Sequence, residues 1–441
     1  MVYRRICAVI LILMAISLAG CERPKSPMGT SKVARSVRAR MAERAKGDKA
    51  AGEGDGALSA GLSGRISAAT EEADAASEDT VVDGDPKGTH MELWTYNPAH
   101  VTYYRKLLGK WNTEDPDYTI EITFRVMPYD ELLASLTKAL NEGQGAPDIC
   151  DIDAYSFPEV SKGLSGTLYP LDASAAPYLY FMHPSRMDVY IGSDGKRYAV
   201  PFRMGAAVQY WNMELLEAAG ITQKEVDAVK TWEDFRALGE KFKAAPGQGT
   251  KSFTVLDPED PMWTMLALAE YSEDTEKAGS AASEMTKAYQ GWIDAGIARS
   301  VTDVEAEIAA GNAASFTGSL AFMDNFVQDM HDQYGKWYIT RCPVFTNGQP
   351  CSVCLDDSPT VITAQSKAPG LAADYICYAK MYTDNMKSIL WPDLSYDVCN
   401  TELWEDKAFA HDATNEYNTF FRNCPYDVLK EINDRIAMIR P

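Results

Sequence analysis

The chain has 441 residues, 46% of them apolar and 24% charged, so it is long enough for more than one well-buried core. Its net charge of −21 is unevenly placed: residues 1–90 carry 13 Lys and Arg against 12 Asp and Glu, and residues 91–441 carry 29 against 51. That acidity excludes nucleic acid as a partner, because phosphates need a basic footprint, and argues against an anionic membrane surface as the main one.

Arg4 and Arg5 precede an apolar run from Ile6 to Gly20 that ends at Cys21. As a helix this run rises only about 22 Å, short of a hydrocarbon core of roughly 30 Å. A charged start, a short apolar stretch and small residues before the cut describe a secretory signal. "LAGC" (Leu18–Cys21) resembles the bacterial lipobox, which implies residues 1–21 as a signal peptide with Cys21 lipidated and the mature chain held on a membrane outside the cytoplasm. Residues 22–88 are rich in Ala, Gly, Ser and charge and poor in aromatics, and are expected to be a disordered tether.

Periodicity sets in at Met91. "MELWTY" reads as a strand, and "VTYYRKLLGKW" as a helix with Val101, Tyr104, Leu107, Leu108 and Trp111 on one face. "YTIEITFRV" alternates, "DELLASLTKAL" returns to helical spacing, and "PDICDID" is a short strand. This β-α-β-α-β order implies a parallel sheet with right-handed crossovers, whose ligands bind beyond the carboxyl ends of the strands. Tyr96 and Asn97 stand at one such end, Asp153 and Tyr155 at another. Further on, "KTWEDFRALGEKF" opens with Thr231 and Asp234 at capping-box spacing, and "FTNGQP" carries an Asn-Gly turn.

Taken in order, "MELWTYNPAH", "APDICDIDAY", "GKRYAVPFRMGAAVQYWNMELLEAAGI", "KTWEDFRALGEKF", "GNAASFTGSLAF" and "SPTVITAQSK" resemble the bacterial extracellular solute-binding proteins (family 1) of ABC importers, the group with maltose-, lactose- and glycerol-phosphate-binding members. The resemblance covers residues 90–390. It implies a two-lobed α/β periplasmic-binding-protein fold of type II, each lobe a mostly parallel sheet flanked by helices. Lobe 1 would hold 89–203 and 357–400, and lobe 2 would hold 204–356 and 401–441. It further implies a monomer that binds a small-molecule carbohydrate between the lobes, closes by hinge rotation and passes its solute to an ABC transporter permease served by a separate ATPase.

A sugar needs flat aromatic faces and paired donors and acceptors. The positions matching the family's site are Tyr96, Asn97, Asp153, Tyr155, Arg203, Tyr210, Trp263, Phe316, Ser319 and Asp357. Trp263 either stacks on the sugar, facing Tyr96 across the cleft, or is a core tryptophan under a loop. Asp153 either meets ligand or caps a strand end. Arg203 either pairs with Asp153 or faces an anionic or strongly hydroxylated ligand. The maltose-binding protein has an acidic residue where this chain has Gly205, and the family's stacking tryptophan is replaced by Leu320, so maltose is not the implied solute.

Beyond Cys7 and Cys21 there are seven cysteines, an odd number for an exported chain. Cys342, Cys351 and Cys354 could supply a disulfide, Cys399 and Cys424 another, and Cys150 with Cys377 read as buried thiols. "CSVC" lacks a second CxxC or a nearby histidine, so no metal is expected. The five histidines offer no pair at metal-binding helical spacing, and there is no GxSxG turn, no phosphate-binding loop and no sign of a cofactor. A binding protein rather than an enzyme is expected. A sensor or adhesin on the same fold is an alternative, as is a glycosidase with Asp153 and Asp357 as its two carboxylates.

Overall fold

In a computed structural model, the described residues are 79–161, 166–271, 275–393 and 397–439. The lipobox and nearly all of the expected tether lie outside them. The strands in chain order are β1 (Asp79–Gly84), β2 (Thr89–Thr95), β3 (Ile120–Val126), β4 (Ile149–Asp151), β5 (Ala199–Val200), β6 (Ala207–Asn212), β7 (Thr254–Leu256), β8 (Ala298–Ser300), β9 (Ser315–Ser319), β10 (Trp337–Arg341), β11 (Ser352–Val353), β12 (Thr360–Ile362) and β13 (Ile436–Ala437).

Lobe 1 is built on a six-stranded sheet in the order β1-β3-β2-β4-β12-β5. Its β2, β3 and β4 are parallel, as the sequence order requires, and the helices α1 (Pro98–Glu114) and α2 (Tyr129–Glu142) make the crossovers. α1 buries Val101, Tyr104, Leu107, Leu108 and Trp111, the face read from the spacing, against Ile120, Ile122 and Phe124 of β3. Antiparallel strands frame this parallel core. β12 returns beside β4, with β5 antiparallel to it in turn, and β1 covers the other edge.

β1 corrects the expected tether boundary, because residues 79–84 are already part of the fold. Val81 packs against the core, and Gly84, at φ +113°, turns the chain so close to the Ile120 carbonyl that a Cβ would collide with it.

Lobe 2 departs from the mostly parallel expectation. β6 pairs antiparallel with both β9 and β10, and the parallel pairs are the short β7–β8 and β11–β13. Helices α3 (Trp232–Ala244), α4 (Met262–Tyr271) and α5 (Thr275–Asp294) surround them, and α6 (Met323–Asp329) follows β9. The capping box of α3 is present: the Asp234 amide donates to Thr231 Oγ1 at 3.1 Å and the Thr231 amide to Asp234 Oδ2 at 2.9 Å.

Two segments cross between the lobes, 201–206 from β5 to β6 and 354–359 from β11 to β12, bridged at Ala206 and Cys354. Behind the crossings, α7 (Pro369–Met381) covers the lobe 1 sheet. The chain then returns to lobe 2 through α8 (Lys407–Ala410) and α9 (Pro425–Ile432), which packs on β10, and β13 closes beside β11. All seven cysteines of the described residues are free and buried, so neither suggested disulfide is formed. Desolvation pushes the thiols of Cys150, Cys342, Cys377 and Cys399 up. No helix among the described residues is long and apolar enough to cross a membrane.

Candidate functional site

The crossing segments meet at a dense set of hydrogen bonds. Buried Arg186 donates to the Met204 carbonyl from Nε at 3.0 Å and Nη2 at 2.7 Å, and from Nη2 to the Asp356 carbonyl at 3.0 Å, so one guanidinium ties both crossings. Asp357, 3% exposed, accepts from the amides of Phe202, Arg203 and Ser358 and from the Tyr190 hydroxyl at 2.6 Å. With its oxygens so engaged, Asp357 holds the hinge instead of offering a free carboxylate to solute. Gly205 lies between these two clamps at φ +58°, where a Cβ would strike the Asp356 carbonyl.

On the lobe 1 side, Tyr96 follows β2 and its hydroxyl bonds Ser358 Oγ. Its ring meets Tyr129 edge-on at 4.9 Å. Tyr129 donates to Ser156 Oγ at 2.6 Å and accepts from the Asp153 amide at 3.1 Å, which fixes the loop after β4. Asn97 caps α1, its side chain accepting from the Ala99 amide at 3.0 Å. Asp153 caps the short turn after β4 through the Tyr155 amide at 2.8 Å. Trp94, one residue from the strand end, is buried beneath this wall.

Tyr155 reaches across, its ring packing on the apolar cluster of lobe 2. Desolvation raises its hydroxyl well above the usual range, and Asp356, Asp260 and Asp153 add to the rise. The three carboxylates come from three places: Asp153 from the end of β4, Asp356 from a crossing segment, and Asp260 from the lobe 2 loop before α4. Burial pushes Asp153 up to about 6, with Asp356 and Asp357 adding to the effect. Asp260, though exposed at its surface, is also pushed up to about 6 by desolvation and by Asp356.

A second polar group stands beside it. Arg203 Nη2 donates to Asp324 Oδ2 of α6 at 3.0 Å, and its Nε lies 4.0 Å from Asp397 Oδ1. Asp397 also accepts from the Gly205 amide at 2.7 Å, and burial pushes it up to about 7. Of the two readings of Arg203, pairing with Asp153 is therefore corrected: its partners are Asp324 and Asp397.

The remaining expected contacts are interior. Tyr210 and Phe316 stack face to face at 4.5 Å inside the β6–β9 sheet, and the Tyr210 hydroxyl donates to the Ser319 carbonyl at 2.9 Å. Ser319 caps the turn after β9 through the Ala321 amide at 3.1 Å. Trp263 is 4% exposed, packs against Trp232 and Trp292, and donates from Nε1 to the Asp257 carbonyl at 3.0 Å. It is a core tryptophan under the loop that presents Asp260, and it does not face Tyr96. Asp260 and Asp356 each stand one to three residues from an expected position, so the right loops were readable but not which side chain each would turn outward. Tyr129, at the start of α2, gave no signal beyond its place after β3.

The family model for bacterial extracellular solute-binding proteins matches residues 97–380. The chain is 27% identical over 380 residues to an arabinooligosaccharide-binding protein of Halalkalibacterium halodurans, covering 82% of this chain and 83% of that one. It is 26% identical over 379 residues to an arabinooligosaccharide-binding protein of Bacillus subtilis, covering 80% and 82%. Among solved structures, the cyclic alpha-maltosyl-1,6-maltose binding protein from Arthrobacter globiformis superposes with a TM-score of 0.65 at 16% identity, over 80% of this chain and 88% of that one.

Proposed function

Since the chain belongs to the bacterial extracellular solute-binding protein family, we propose that it captures a neutral oligosaccharide between its lobes and delivers it to an ABC transporter permease. The observation that carries this reading is Tyr155, a lobe 1 ring lying on lobe 2 and surrounded by carboxylates from both lobes and from a crossing segment. Aromatic faces with carboxylate acceptors suit the C–H faces and hydroxyls of a sugar. The same carboxylates repel phosphorylated and uronic sugars, and Arg203 is already engaged by Asp324. Two relatives named for arabino-oligosaccharides make these the first ligands to test. Cys21 is the proposed lipid anchor, and its replacement by Ala should release the chain from membranes or leave an unprocessed precursor.

A thermal-shift screen over neutral, phosphorylated and uronic oligosaccharides tests the solute class. A ligand at 100 times its Kd stabilises by about 2.7 kcal/mol. A neutral oligosaccharide should raise the Tm, and stabilisation by anionic sugars alone would overturn the reading.

A further inference from the structure

Away from the cleft, the returning tail brings together three side chains of different metal-ligating chemistry. α8 ends at His411, and α9 begins after Cys424 with Asp427 in its first turn. His411 Nε2 lies 3.4 Å from Asp427 Oδ1, and one ligand atom from each of His411, Cys424 and Asp427 lies within 4.8 Å of the others. The His411 and Asp427 side chains are 44% and 47% exposed, while Cys424 is 9% exposed. A cation can therefore enter from solvent and meet the sulfur at the floor.

The geometry points to a surface site for zinc(II), held by His411, Cys424 and Asp427, that fastens α8 to α9. Imidazole, thiolate and carboxylate are the ligand types of tetrahedral zinc, at about 2.0–2.3 Å from the metal, so small rotations of these side chains bring the set to bonding distance. Calcium and magnesium prefer all-oxygen sets, and a thiolate in the site selects against them. Water would fill the fourth position.

Binding requires the Cys424 thiol to lose its proton to solvent and to give up its 3.0 Å hydrogen bond to the Ala410 carbonyl. One group opposes the cation: Lys430 Nζ lies 2.8 Å from Asp427 Oδ1. The ligands stand thirteen and three residues apart, a spacing that no short metal motif describes.

Chelator-stripped chain should take up one equivalent of zinc in a calorimetric titration, and cobalt(II) in its place should show a thiolate-to-metal charge-transfer band. Losing an outer-sphere partner already costs about 10–100-fold in metal affinity, so His411→Ala, at an exposed position, and Cys424→Ser should each weaken binding by more than about tenfold. Cys424→Ser should also abolish the band. Lys430→Met, which removes the competing charge, should tighten binding. Uptake unchanged in both ligand variants, or a cobalt spectrum without the band, would overturn the proposal. None of these readouts depends on the sugar reading.

Discussion

Tyr96 and Tyr155 stand beyond the carboxyl ends of β2 and β4, whereas Tyr210 and Phe316 stand within β6 and β9. Each pair belongs to the same aromatic chemistry, yet the first is left part-buried at strand ends and the second is sealed in a sheet. Trp263 falls with the second pair, because α4 turns it inward against Trp232 and Trp292. Position relative to the strand end, and not residue type, decides whether an aromatic side chain here is left part-exposed or sealed in the core.

This contrast is sharpest on Trp263. Trp263→Ala should lower stability by about 3–5 kcal/mol, read from chemical denaturation, while the folded fraction still binds solute. Affinity lost with stability kept would place Trp263 in the site. Tyr155→Ala should do the opposite. Removing one large ring from a ligand contact is worth roughly 1.5–3 kcal/mol, or about one to two decades of Kd, with little change in Tm.

The two kinds of carboxylate near the hinge differ in the same way. Asp357→Ala strips four donors of their acceptor and should cost about 1–3 kcal/mol of stability. Gain or neutrality in denaturation would contradict its role as the clamp. Asp153, by contrast, is pushed up to about 6, so the folded chain binds that proton more tightly than the unfolded chain, whose carboxyl titrates near about 4. Its contribution to stability is full below about pH 4 and is lost as pH rises through about 6. Asp153→Asn should therefore flatten the fall in stability between those values. An unchanged profile would mean the carboxylate is not desolvated.

Much of lobe 1 was legible because its strands and helices carry clear periods: the alternation of Ile120, Ile122 and Phe124 and the helical stripe from Val101 to Trp111 reappear as buried faces. β1 was hidden in a tract of Ala, Gly and charge, since a six-residue edge strand with one packed valine leaves almost no pattern. In the site, the loops were legible and the outward side chains were not. Asp356 and Asp357 are adjacent, and only the backbone path through the crossing turns the first to solvent and the second inward. Asp324, on α6, and Asp397 lie far from Arg203 in sequence, so their pairing with it is set by the tertiary fold and not by any local pattern.

The central claim is that one neutral sugar is gripped from both lobes. Calorimetric titration of an arabino-oligosaccharide into Tyr155→Ala, on lobe 1, and Asp260→Ala, on lobe 2, tests it directly. Both variants should bind more weakly than the wild-type chain; Tyr155→Ala should keep its Tm, whereas Asp260→Ala also removes the acceptor of the Met262 amide at the start of α4 and should lower the Tm modestly. Wild-type affinity in either variant would mean that the solute is not held between the lobes at Tyr155 and Asp260.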